Sequence, residues 1–238
     1  MAATRRHVLI TGVASDAGRL LVQRLLADAS PPLIVVCSRQ TPTETLDFLQ
    51  IDEAARTAGD VVALQANPSE EGGETAFAEA LAAAPHGGAE FDAVVNLIGA
   101  WFARPGRDDP RQILLGGATV SAQSVKPRGP DFLPPRYVLT SSTSIYGDRP
   151  GEILTEDMPL KPDSSTNFAG WQVEVEDVMK KLHKEKVVDL VTLRCPHIYG
   201  TPKEKTIDRY RDGSMIIMGT GQNIMQHIHY HDYVQALA

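Results

Sequence analysis

Hydroxyl-bearing side chains crowd the run LTSSTSIYGD (139–148), where Thr140, Ser141, Ser142, Thr143 and Ser144 precede Tyr146. Hydroxyls leaving the end of a buried strand can donate to a substrate carbonyl oxygen, and they can equally cap a turn. Ser142, last on the strand, is the candidate for chemistry. A second chemical element is the turn TGVASDAG (11–18), set between the apolar run VLI and the helically spaced Leu20, Leu21, Leu25 and Leu26. Gly12 permits a tight bend and Gly18 permits close helix–strand packing. The amides that open a helix carry partial positive charge, so Gly12, Ser15, Asp16, Ala17 and Gly18 form a candidate pyrophosphate cradle. The alternative is a strand-turn-helix without a ligand. Ser38 and Arg39 follow the next apolar run, where a carboxylate would grip a ribose 2′-hydroxyl; a guanidinium pairs with phosphate instead. That substitution favours NADP(H) over NAD(H), the alternative being a solvated loop arginine. In NLIGA (96–100), Gly99 stands where backbone would approach a cofactor closely.

These segments need elements to hold them. Apolar runs at 8–10, 33–39, 61–66, 93–98, 136–142 and 187–195 read as buried strands. Between them the pattern predicts helices over 43–58 with Thr43 as N-cap, in the alanine-rich stretch ETAFAEALAAA, and over 171–186. The segment 110–125 is weaker, because Gly116 and Gly117 together cost about 2 kcal/mol relative to alanines. Alternating strands and helices with short links mean a parallel, doubly wound α/β sheet of the Rossmann type. A ligand then lies across the carboxyl ends of the strands, where strand order reverses.

The 238 residues carry a net charge of −7 with lysines and arginines scattered, which argues against nucleic acid or an anionic membrane as partner. The start, MAATRRH, lacks the apolar length of a signal peptide or membrane span, so a cytoplasmic location is expected. Cys37 and Cys195 lie in strand-like runs and read as structural thiols.

Taken in order, TGVASDAG, NLIGA, SSTSIYGD, LRCPHIYG and GTGQNIMQHIHYHDYVQALA give the chain a family likeness. It resembles an extended short-chain dehydrogenase/reductase of the NAD-dependent epimerase/dehydratase group over nearly its whole length. The resemblance implies a cofactor-binding Rossmann domain at 1–196 and part of a smaller substrate region at 197–238, whose end reads as truncated. It also implies NAD or NADP along the 12–18 turn, Ser38 and Arg39, Leu97, Ile98 and Gly99, and Pro196, His197 and Ile198. Ser142 matches the family's active-site serine, and Asn67 stands nearest its acidic residue after the third strand.

The departures are chemical. Ser15 or Asp16 replaces the middle glycine of the turn, and Asp16 either repels a pyrophosphate or caps the helix. The family's Tyr-xxx-Lys pair aligns with Phe168 and Gln172, which supply neither proton nor positive charge. The expectation is therefore an atypical oxidoreductase acting on a small molecule with a carbonyl or hydroxyl, a nucleotide sugar among them, or a non-catalytic NADP(H)-binding sensor or scaffold. His227, His229 and His231 alternate as zinc ligands on a strand would, but relatives carry there a strand leading to an Asp-initiated helix, so no metal is expected. His197 would touch the nicotinamide or sit satisfied in its loop. Apolar residues from 215 to 237 would be exposed or covered by another chain, a homodimer being one such arrangement.

Overall fold

The computed structural model describes residues 5–70, 72–84, 88, 90–99, 103, 106, 108–127, 129, 133–162, 167–201, 206–216 and 225–238. Its centre is a sheet of order β3-β2-β1-β4-β5-β6, comprising β1 (His7–Thr11), β2 (Leu33–Ser38), β3 (Val61–Gln65), β4 (Ala93–Asn96), β5 (Arg136–Ser142) and β6 (Asp189–Cys195). All pairings are parallel, and Val8 of β1 lies between Ile34 and Ala93. Strand order reverses between β1 and β4, which places a crevice at their carboxyl ends.

Both faces of the sheet are covered, so its strands are apolar almost throughout. Leu9, Val35 and Val94 pack with Phe77 and Leu81 of α4 (Glu74–Ala82), Leu114 of α5 (Pro110–Gln123) and Met179 and Leu182 of α6 (Asn167–Lys184). Val8, Ile10, Ile34 and Val36 point the other way, against Leu21, Val22 and Leu25 of α1 (Asp16–Leu26). The alternation is the two-residue period of a strand buried on both sides.

The predicted helix over 43–58 is two helices, α2 (Pro42–Phe48) and α3 (Glu53–Ala58). Its N-cap is Thr41 rather than Thr43: Thr41 and Glu44 form a capping box with Pro42 following. Gln50 then turns left-handed (φ 56°), Ile51 is buried, and Asp52 caps α3. The doubtful helix at Gly116 and Gly117 is continuous. A Cβ on Gly117 would come within 2.9 Å of both Ile98 and Ser69, so the glycine lets two loops at the carboxyl edge close onto α5.

Beyond β6 the chain forms a small parallel sheet of β7 (His197–Tyr199) and β8 (His227–His229), with α7 (Thr206–Asp212) between them. The last helix, α8 (Tyr230–Leu237), returns to α1. Tyr233, Val234 and Leu237 are buried in the sheet's core cluster, so the expectation that these side chains face solvent or a second chain is corrected. Residues 217–224 of that expectation lie outside the described residues. Among the described residues no helix is long and apolar enough to cross a membrane.

Candidate functional site

At the carboxyl end of β1, Gly12 has φ +70°, and a Cβ there would stand 2.7 Å from the Ile98 amide nitrogen. The turn and the loop after β4 therefore touch backbone to backbone. That loop is fixed by Asn96, whose buried Oδ1 accepts from Thr11 Oγ1 and from the Ile98 amide, each at 3.0 Å. A side chain on Gly18 would collide with the Val13 carbonyl, so this glycine seats α1 under the turn.

The residues at the middle-glycine position behave differently from the expectation for Asp16. Ser15 is the N-cap, its Oγ accepting from Gly18 N at 3.0 Å. Asp16 neither caps nor stands alone: its carboxylate pairs with Arg19 at 3.2 Å inside the first turn. With Gly18 N taken, the amides of Asp16 and Ala17 remain the helix-start donors without intrahelical acceptors.

Gly12, Val13 and Ala14 line a cleft of about 240 Å³ together with Ser38, Arg39, Asn67, Ser69 and Ile98. Ser15, Asp16, Ala17 and Gly18 do not line it, and Leu97 is buried in the core, so these residues shape the cleft through backbone and packing. Arg39 pairs with Asp108 at 3.3 Å. Ser38 Oγ accepts from Gln40 N, and Asn67 Oδ1 accepts from Ser69 N, each at 3.1 Å.

A second cavity, of about 310 Å³, opens where β4, β5 and β6 end. Ile98 lines it as well as the first, and its other walls include Gly99, Ser142, Phe168, Gln172, Cys195, Pro196, His197, Ile198 and Tyr233. Ser142 closes β5 and caps the 3-10 turn Thr143–Tyr146, its Oγ accepting from Ser144 N at 3.2 Å. Burial pushes the Cys195 thiol up to about 11 and that of Cys37 to about 12, so neither is a thiolate at neutral pH. Cys195 lies beside Ser142 in register and is half-buried. Ser142, Pro196 and His197 also line a groove of about 700 Å³ with Thr143, Arg149, Met225 and Gln226.

Beneath this cavity lies an ionic cluster. Glu176, fully buried on α6, receives Ser141 Oγ at 2.7 Å and a forked pair from Arg194 at 3.1 and 2.8 Å, with Lys180 at 3.4 Å. Burial would raise the Glu176 carboxyl, but the hydrogen bonds from Arg194 and Ser141 and the charges of Arg194 and Lys180 outweigh it and hold it below the usual range. Arg194 also donates to Tyr146 Oη at 2.7 Å and to the Glu156 carbonyl at 2.8 Å. The cluster thus ties SSTSIYG to α6 and β6.

The model of the NAD-dependent epimerase/dehydratase family matches residues 8–238. The chain belongs to that family. No curated protein matches it. Among solved structures, a double mutant of dTDP-glucose 4,6-dehydratase from Streptomyces venezuelae, with NAD bound, is 20% identical and superposes with a TM-score of 0.69 over 97% of this chain and 70% of that one. UDP-glucuronic acid 4-epimerase from Bacillus cereus, in complex with UDP-glucuronic acid and NAD, is 15% identical with a TM-score of 0.68 over 96% and 71%. UDP-glucose 4-epimerase from Thermotoga maritima, with UDP-glucose, is likewise 15% identical with a TM-score of 0.68, over 97% and 71%. At these identities the likeness is one of fold.

In this epimerase/dehydratase family member the two vacant positions, Phe168 and Gln172, stand one helical turn apart and line the same cavity as Ser142. Tyr146 is buried with its oxygen on Arg194, away from that role. Sequence reasoning missed Glu176, Arg194, Asp108 and Tyr233. Tyr233 reaches the cavity from α8, and its phenol is hydrogen-bonded with Thr140. Asp108 and Tyr233 carried no usable signal; a glutamate on the apolar stripe of α6 and an arginine inside a strand were the available hints of the cluster. The alternating histidines do not share one strand, since His231 is on α8 with its ring stacked on His229 at 5.2 Å, and His229 rather than Asp232 is the N-cap of α8.

Proposed function

We propose that the chain binds a nicotinamide dinucleotide across the carboxyl edge of its sheet and acts as an oxidoreductase on a small molecule bearing a carbonyl or hydroxyl, a nucleotide sugar being the leading class. The observation that carries this reading is the meeting of two cavities at Ser142, Pro196 and His197: one continues along the edge past Ile98, the other opens into the wide groove. The glycine-only contact at Gly12 fits a bound pyrophosphate, because nothing larger than backbone separates the turn from the loop after β4. Gly12, Val13 and Ala14 would hold the pyrophosphate, Ser38, Arg39 and Asn67 the adenosine end, and Ile98, Phe168, Pro196 and Ile198 the nicotinamide.

A nicotinamide bound there supplies hydride transfer. Ser142 Oγ accepts from Ser144 N, so its own proton is left to give, and in this reading it polarises a substrate oxygen lodged between the cavities. Residues 197–238 begin the substrate side, since Met225 and Gln226 line the groove opposite Ser142. Arg39 supports NADP(H) over NAD(H): its guanidinium would turn from Asp108 to a 2′-phosphate. A binding-only role has one observation in its favour, that Phe168 and Gln172 line the cavity.

Dinucleotide binding and turnover separate these readings. NADPH binding, with conversion of at least one member of a panel of ketones and nucleotide sugars, is expected, and Ser142→Ala should lower turnover by about 10²-fold while leaving the NADPH dissociation constant unchanged. Tight binding with no conversion across the panel assigns the sensor role. Absence of NADH and NADPH binding overturns both.

A further inference from the structure

Two polar residues share the buried stripe of α6, one turn apart. Glu176 is saturated by Ser141, Arg194 and Lys180. Gln172 is only 4% exposed, yet its Oε1 is buried without a hydrogen-bond partner among the described residues. Buried acceptors are nearly always satisfied, and leaving one unmet costs stability. An apolar residue at 172 would remove that cost, as Val175 and Met179 do further along the same stripe. The retained amide therefore points to a group that arrives from outside.

The cavity that Gln172 lines says what kind of group. None of its lining residues is an aspartate, glutamate, lysine or arginine, and Phe168, Ile98 and Ile198 give it apolar walls. A phosphate or carboxylate would bring a full charge into that lining with only a carbonyl lone pair to meet it, whereas a hydroxyl brings one donor and little desolvation cost. We propose that Gln172 is a positioning residue whose Oε1 accepts a hydrogen bond from a sugar hydroxyl of a ligand seated against Phe168. This rests on the reading of the cavity as the nicotinamide end of the dinucleotide site, and two sources carry such a hydroxyl there: the nicotinamide ribose and the sugar of a nucleotide-sugar substrate.

Gln172→Met keeps the length of the side chain and removes the acceptor; Gln172→Glu keeps an acceptor. Titration calorimetry with NADH, UDP-glucose and ADP, beside the melting temperature of the ligand-free protein, tests the assignment. In Gln172→Met the ligand-free melting temperature is expected to rise by about 2–4 °C, because the unmet acceptor is gone. NADH affinity should fall about tenfold, as for one lost hydrogen bond, while ADP, which ends before the cavity, keeps its affinity. Gln172→Glu should hold NADH within about threefold of the wild type. A fall confined to UDP-glucose assigns the hydroxyl to the substrate and still supports the acceptor role. NADH and UDP-glucose affinities that Gln172→Met leaves unchanged overturn the inference alone, whichever way the melting temperature moves. Wild-type protein that binds neither NADH nor ADP overturns the cofactor reading itself.

Discussion

The edge of the sheet at β1 and β4 and the edge at β5 and β6 are built by different means. The first is made of backbone: Gly12 against Ile98, Gly18 against Val13, one serine cap and one asparagine that accepts two hydrogen bonds. The second is made of side chains gathered from afar, with Ser141 and Glu176 separated by 35 positions and Tyr146 and Arg194 by 48. A backbone site tolerates only substitutions that preserve conformation, so it keeps its shape while its residues change, as Ser15 shows. A side-chain site can lose its chemistry and keep its frame. Phe168 and Gln172 stand directly above an ionic cluster that remains fully paired.

The largest effect that would test this contrast comes from the side-chain edge. Arg194→Met leaves Glu176 buried with Ser141 and Lys180 alone and should cost about 3–5 kcal/mol at pH 7, read by urea unfolding. Because the folded-state value of Glu176 is depressed, its contribution is present above the unfolded glutamate value of about 4.3 and is lost as pH falls through the lower folded one. The cost of Arg194→Met should accordingly shrink below about pH 4, and a cost independent of pH would break the assignment. On the backbone edge, Gly12→Ala forces φ +70° on a residue with a Cβ and drives that atom against Ile98, for about 3 kcal/mol and loss of dinucleotide binding. Binding that survives Gly12→Ala would show that the turn is not the cradle.

A smaller change is expected from Ser15→Ala, which removes the α1 cap and should cost about 1 kcal/mol in thermal unfolding. Smaller still, Asp108→Asn releases Arg39 from its partner and should raise NADPH affinity about threefold relative to NADH in parallel titrations. An unchanged ratio would remove Arg39 from the cofactor reading.

The same contrast governs what could be read in advance. The strands, their parallel order and the phosphate-type turn follow from local pattern, since double burial demands apolar runs and a tight bend demands glycine. Helix breaks were harder: the left-handed Gln50 between α2 and α3 has no composition signal, while the glycine pair in α5 looked like a break and is a packing contact. The Glu176–Arg194 cluster was out of reach, because nothing in the spacing of a glutamate on α6 and an arginine on β6 tells that their side chains meet. Of the candidate site, the positions of Gly12, Ser38, Arg39, Ile98 and Ser142 at the carboxyl edge were legible; Asp108 and Tyr233, contributed by a loop and by the last helix, were not.

Tyr233 also bears on how the molecule assembles. It joins the wall of a cavity whose other members lie between residues 98 and 198, and its neighbours Val234 and Leu237 close the face of α1, more than two hundred positions upstream. Contacts so distant along the chain form late, since the loop they close carries a large entropic penalty. The sheet can therefore be complete while the site is still open, and a ligand touching both α6 and α8 would draw part of its affinity from holding the two ends of the chain together.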